Sequence, residues 1–186
     1  TLGGESYSEH FKTQSVAEVN NDNHAIFADQ QLVAEEFFIN LGVRQDFNQA
    51  FGSQVTWKIA PGFHIPVTDT TLKATYGRGF KAPSLSQLFD TAYGNPGLAP
   101  ERSRGWDAGF EQNLFKDTLV FGSTYFRNDI EQLIGNNPLP PYAAINVGRA
   151  RTYGVESTAS YTPLKDLSLD MSHTYTRTEN RTRNND

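Results

Sequence analysis

Two groups of residues have the chemistry to hold a ligand: Phe89, Tyr93 and Asn95, and then Asn136, Asn137 and Tyr142. Aromatic faces beside amide donors and acceptors suit a large amphipathic molecule. Both groups fall in links rich in Asn, Gly and Pro, where binding function concentrates. The opposing reading, ordinary turn residues, stays open on sequence alone. Other chemistries have thinner support. His10, His24, His64 and His173 lack metal-ligand spacing. Gly77-x-Gly79 is not followed by the remaining elements of a dinucleotide or phosphate loop. Asp107, Glu111, Glu156 and Asp170 could line a wet surface, but nothing sets the separation that paired acid–base catalysis needs. The run Asn20–Asn23 offers oxygen ligands without the spacing of a calcium loop, and reads as a solvated loop. The expectation is therefore no catalytic residue, no metal, no cofactor and no enzyme.

The elements that must position these side chains are strands. "LSLDMSHTYT" (167–176) puts Leu167, Leu169, Met171 and Tyr175 on one face and Ser168, Asp170, Ser172 and Thr174 on the other. The same period of two predicts nine strands: 2–9, 24–33, 36–47, 53–65, 70–79, 103–115, 118–131, 144–162 and 167–178. Phe38 and Phe126 are out of phase, each falling on a polar face. The mean hydropathy of -0.55 would ordinarily describe a soluble chain, and no run is apolar enough for a membrane helix. A barrel escapes that test because only alternate residues need be apolar. A net charge of -5, with no basic cluster in the sequence, argues against nucleic acid. With no Cys there is no disulfide framework.

The connections alternate. Those near 33–36, 66–69, 115–118 and 163–166 are tight, whereas those near 10–23, 80–102 and 132–143 are long, with 48–52 the one brief link on the long side. Every strand therefore crosses the same layer, with one end plain and the other elaborate, as in outer-membrane barrels. Lys58, Arg44 and Lys73 fall on polar faces. Arg78 shares a side with Leu72, Ala74 and Tyr76, but at a strand end, where the cost of facing lipid fades. Trp57, Trp106, Tyr153 and Tyr161 would suit an aromatic girdle.

Residues 76–113 read "YGRGFKAPSLSQLFDTAYGNPGLAPERSRGWDAGFEQN". Pro83 ends a strand, and Ser84 with Gln87 fits a capping box opening one helical turn. This stretch resembles the signature of TonB-dependent outer-membrane receptors, in the pieces Gly79–Pro83, Asn95–Glu101 and Trp106–Glu111. Tyr125–Ile134 and Asn146–Glu156 resemble the next strands of that family, and "AIFADQQL", "INLGVRQDF" and "FGSQVTWKIAP" resemble earlier ones in the right order. The resemblance is closest to the vitamin B12 and ferric-siderophore subgroups. It implies a metal-chelate ligand (cobalamin or a ferric siderophore), a lipid surround in the outer membrane of a Gram-negative bacterium, and TonB acting only through a plug domain.

The expected fold is all-β: an antiparallel up-and-down meander, part of a transmembrane barrel, with short periplasmic turns and longer extracellular loops. The chain shows no signal peptide, plug, TonB box or terminal strands of such a receptor, and both ends read as cut, so residues 1–186 are expected to be a middle section. Two alternatives stay open, a soluble β-sandwich binding module and a passive porin. Small residues on the polar faces (Gly42, Gly62, Gly109, Gly154, Ser160, Ser172) would fit a narrow bore, so the isolated section is expected to close into a barrel of eight or nine strands.

Overall fold

The computed structural model describes residues 1–13 and 17–182. Its strands are β1 (Leu2–Phe11), β2 (Val19–Ala34), β3 (Phe37–Asn48), β4 (Gly52–Ile65), β5 (Thr70–Lys81), β6 (Glu101–Leu114), β7 (Leu119–Asn136), β8 (Ala144–Leu164) and β9 (Leu167–Asn180). A short helix, α1 (Leu85–Phe89), lies between β5 and β6. The strands form one antiparallel sheet in sequence order. Parts of the first long link and of the C-terminal stretch (14–16 and 183–186) lie outside the described residues.

Directly opposed residues of antiparallel strands share a face, so register decides whether the alternating patterns merge. Here they do. Leu41 opposes Ile59, Ile59 opposes Tyr76, and Tyr76 opposes Trp106. Leu72, Phe110, Phe121, Met171 and Tyr175 join the same apolar face by the same rule. Glu35, Asp69, Phe115, Lys116 and Asp117 take positive φ in the tight turns, where the chain must reverse within a few residues. The long links gather at the other end of the sheet, so the predicted division into a plain and an elaborate end holds.

The apolar face is uncovered. Leu41, Val43, Ile59, Phe63, Trp106 and Phe110 are all exposed, and no second sheet packs on them among the described residues. A soluble monomer rarely leaves more than a few hundred Å² of contiguous apolar surface in water. This overturns the sandwich alternative, which required Leu41 and Phe110 to be sealed between sheets. The polar face is concave: α1, which comes from between β5 and β6, packs against β1 at the far side of the sheet, where it meets Phe11.

The sheet is open, not a small closed barrel. β1 pairs with β2 alone and β9 with β8 alone among the described residues. The glycines read as lining a narrow bore have another use. Phe38 opposes Gly62 and Phe126 opposes Gly154, so the two out-of-phase rings lie across glycines of the neighbouring strand. A Cβ at Gly62 would collide with the Phe38 ring, and one at Gly154 would sit 3.0 Å from Phe126 Cζ. With these rings and the 82–100 link on the concave side, an eight-stranded bore has no room.

Two loop readings are also corrected. Asn20–Asn23 is part of β2, because β1 and β2 continue pairing as far as Phe11 and Val19. Asn21 Nδ2 donates to Glu9 Oε2 at 3.2 Å, and Asn23 accepts from Asn48. β7 runs on to Asn136 past a bulge at Gln132, whose φ is 57, so Asn136 sits in a strand and opposes Ala144.

Candidate functional site

At the elaborate end, the 82–100 link folds inward and is tied down. Ser84 Oγ accepts from the Gln87 N–H at 3.2 Å and Gln87 Oε1 accepts from the Ser84 N–H at 2.9 Å, completing the expected capping box of α1. Leu85, Leu88 and Leu98 form a small core with Ala144, flanked by Phe11, Phe51, Phe89 and Ile134. Asn95 is the clasp of this link. Its N–H donates to Gln87 O at 2.8 Å, its Nδ2 donates to Ala144 O at 2.8 Å, and its Oδ1 accepts from Gly97 N–H at 2.9 Å. Asn146 stitches the same seam from β8, accepting from Ala99 N–H and donating to Ala99 O, both at 2.9 Å.

The structure therefore brings the two candidate groups together but sorts them. The Ala144 N–H donates to Tyr93 O at 2.7 Å, joining one loop to the base of the other. Tyr93 and Tyr142 expose their rings, and Asn136 is exposed at the end of β7. Asn137 Oδ1 accepts from Leu139 N–H at 3.1 Å and so shapes its own turn. Phe89 is half-buried against the leucines. Asn95→Ala removes a side chain that makes two hydrogen bonds and leaves Ala144 O without its donor. It is expected to destabilise the link by about 1–3 kcal/mol. Faster amide exchange at Tyr93–Gly97 with unchanged exchange in β3 and β4 is the check.

The concave wall below these loops is charged and in part ion-paired. Arg44 reaches Glu5 at 2.8 Å and Asp46 at 2.9 Å, Lys73 reaches Glu111 at 3.2 Å, and Lys58 reaches Asp29 at 3.7 Å. Glu5, Arg44, Asp46 and Lys58 border a cavity of about 670 Å³. Register places Asp107, Glu156 and Asp170 on the same face as Glu111. Among the described residues, no three His, Cys, Asp or Glu side chains come together as ligands for an ion. His10 bonds Asn20 at 2.6 Å, His24 bonds Ser6 at 3.0 Å, and His64 bonds Thr71 at 3.2 Å. His173 opposes Ser157 on the outward face.

The outward face carries a cluster that reading strand by strand does not reveal. An aromatic row of Trp57, Tyr76, Trp106 and Tyr125 crosses four successive strands, with Trp57–Tyr76 and Trp106–Tyr125 centroids each 5.2 Å apart. One step nearer the long links lies a row of arginines around a cleft of about 1240 Å³. The signal was present as an aromatic residue two positions from an arginine: Tyr76/Arg78, Trp106/Arg104, Tyr125/Arg127, Tyr153/Arg151 and Tyr175/Arg177. No stretch is basic by itself, because each strand contributes one or two arginines and pairing collects them.

A family model described as TonB dependent receptor-like, beta-barrel, matches residues 2–186. The vitamin B12 transporter BtuB of Photobacterium profundum is 29% identical over 151 residues, covering 78% of this chain and 24% of that protein. The crystal structure of the siderophore receptor PirA from Pseudomonas aeruginosa superposes with a TM-score of 0.86 at 25% identity, over 95% of this chain and 36% of that one. A ferric enterobactin receptor of the same organism, in complex with enterobactin, gives a TM-score of 0.78 at 23% identity, over 95% and 32%. This last likeness concerns the fold alone. The chain spans about a quarter of the curated relative and about a third of the solved receptors.

Proposed function

The chain belongs to the TonB-dependent receptor β-barrel family, and from that premise we propose that it forms a middle section of the wall of an outer-membrane receptor-transporter. The observation that carries this reading is the continuous register. It places an uncovered apolar face outside, a charged and ion-paired face inside, and all the long links at one end. The apolar side meets lipid. The elaborate end faces outward, and the concave wall surrounds a plug on which TonB acts. Tyr153 and Tyr161 share the outward face of β8 eight residues apart, which is about 26 Å along a strand. With strands tilted by roughly 35–45° this spans about 20 Å across the membrane, so both rings fall within or near the borders of an apolar band about 25 Å tall.

The ligand proposed is a metal chelate of the cobalamin or ferric-siderophore class, a reading supported by the relatives' functions. Tyr93, Tyr142 and Asn136 would offer rings and an amide to it, while Asn95, Asn137 and Phe89 hold their loops in shape. Replacing 90–94 and 138–142 with Gly-Ser segments is expected to lower chelate affinity at least about tenfold, the effect of losing one well-seated aromatic anchor. Titration of the purified receptor measures this, and unchanged affinity would remove these loops from the site. The transport reading is tested by uptake of labelled cobalamin and labelled ferric siderophore into cells that depend on this receptor. Uptake should cease when TonB is deleted; uptake that persists without TonB would identify a passive pore.

A further inference from the structure

We propose that the buried asparagines at the long-link end of β1–β3 bind one internal water molecule, which bridges Asn21 to Asn23 and seats the 82–100 link. Asn21, Asn23 and Asn48 lie on the concave face and are only 3%, 8% and 8% exposed. Neighbouring bonds fix which way each amide points. Asn48 Oδ1 accepts from the N–H groups of Ala50 and Phe51, at 2.7 Å and 3.0 Å, so its Nδ2 is the atom that faces Asn23. Asn23 meets that donor with its oxygen, which leaves Asn23 Nδ2 over. Asn21 meets the carboxylate of Glu9 with its Nδ2, at 3.2 Å, which leaves Asn21 Oδ1 over. These two atoms, one donor and one acceptor, have no partner among the described residues.

The unpaired atoms define their ligand. A cation would meet the Asn23 N–H and an anion the Asn21 oxygen, so either suits only half of the site. Water donates to one and accepts from the other. Alternate residues of a strand stand about 6.6 Å apart, too far for two parallel amides to bond, whereas a water making two bonds of about 2.9 Å fits between them. Internal waters make about three bonds, and Tyr7 and Glu9, directly opposite Asn23 and Asn21 in β1, are placed for the third. The link rests beside this site. Phe11 opposes Val19, two residues before Asn21 on the same face, and Phe51 lies three residues after Asn48. Both rings pack against the core of Leu85, Leu88 and Leu98. With the water in place, the link closes over satisfied amides. Without it, closure would strand a donor and an acceptor away from solvent.

The test combines a crystal structure of the complete receptor, at a resolution that orders water, with amide exchange of the same protein in detergent. A water within hydrogen-bond distance of both Asn21 Oδ1 and Asn23 Nδ2 is expected. Asn21→Leu, which replaces the acceptor with an apolar side chain of similar size, should lose that water. It should also speed exchange at Leu85–Phe89 at least roughly fivefold, the weight of one hydrogen bond in an equilibrium. Asn40→Leu, which removes an amide lower on the concave face of β3, should leave that exchange unchanged. Three crystallographic results would overturn the proposal: no molecule between the two amides, a direct bond between them, or an ion in the water's place. If Asn21→Leu fails to fold, the density in the unmodified receptor decides. A water that is present while Asn21→Leu leaves exchange at Leu85–Phe89 unchanged, or while Asn40→Leu speeds it equally, would refute the seating of the link.

Discussion

Met171→Arg is expected to cost about 2–4 kcal/mol of stability in a bilayer, whereas Ser172→Arg, one residue along the same strand, should cost less than about 1 kcal/mol. Met171 opposes Ala159, which opposes Phe121, so it lies well inside the apolar face, and it is 66% exposed. Ser172 opposes Thr158 on the concave side. In water both positions would accept arginine almost without cost, since neither side chain is packed. The difference therefore measures what the outward face touches. Urea unfolding of the receptor in lipid vesicles gives both values, and equal values would sink the assignment of faces.

Gly62→Ala is expected to lose about 1–3 kcal/mol, because the new methyl group falls inside the space taken by the Phe38 ring. Phe38→Ala should carry its own cost, since the ring would no longer cover the strand beneath it. In the double variant the collision is absent, so its cost should fall below the sum of the two by about 1 kcal/mol or more. The same unfolding assay reads the cycle. Strict additivity would mean that the ring does not rest on the glycine.

The wall of the fold was legible because its rule is local. Alternation along "FFINLGVRQDF" or "LSLDMSHTYT" assigns faces without knowledge of any partner strand, and tight turns announce themselves by length. What escaped depended on neighbours. Phe38 and Phe126 looked like errors of phase until pairing set Gly62 and Gly154 against them. Asn20–Asn23 looked like a loop because asparagine is a poor strand former, yet Glu9 and Asn48 supply its partners across the sheet. Asn95 was visible as a binding candidate, but a sequence does not reveal that an amide is already spent on Ala144 and Gly97. The arginine rim is the clearest case, since its members come one or two at a time from separate strands and become a cluster only through register.

Because each strand pairs, among the described residues, only with those before and after it in sequence, the sheet can grow in the order in which it is written. The two-residue turns at 35–36 and 165–166 make each hairpin they close a nearly self-contained step, with little chain entropy lost before pairing begins. At the opposite end, the entropic cost of a link rises only with the logarithm of its length, about 0.6 kcal/mol for each doubling. A lineage can therefore lengthen, shorten or exchange the links at that end while the strands stay in register. The meander separates heritable change into two compartments, a fixed palisade and a rim free to vary.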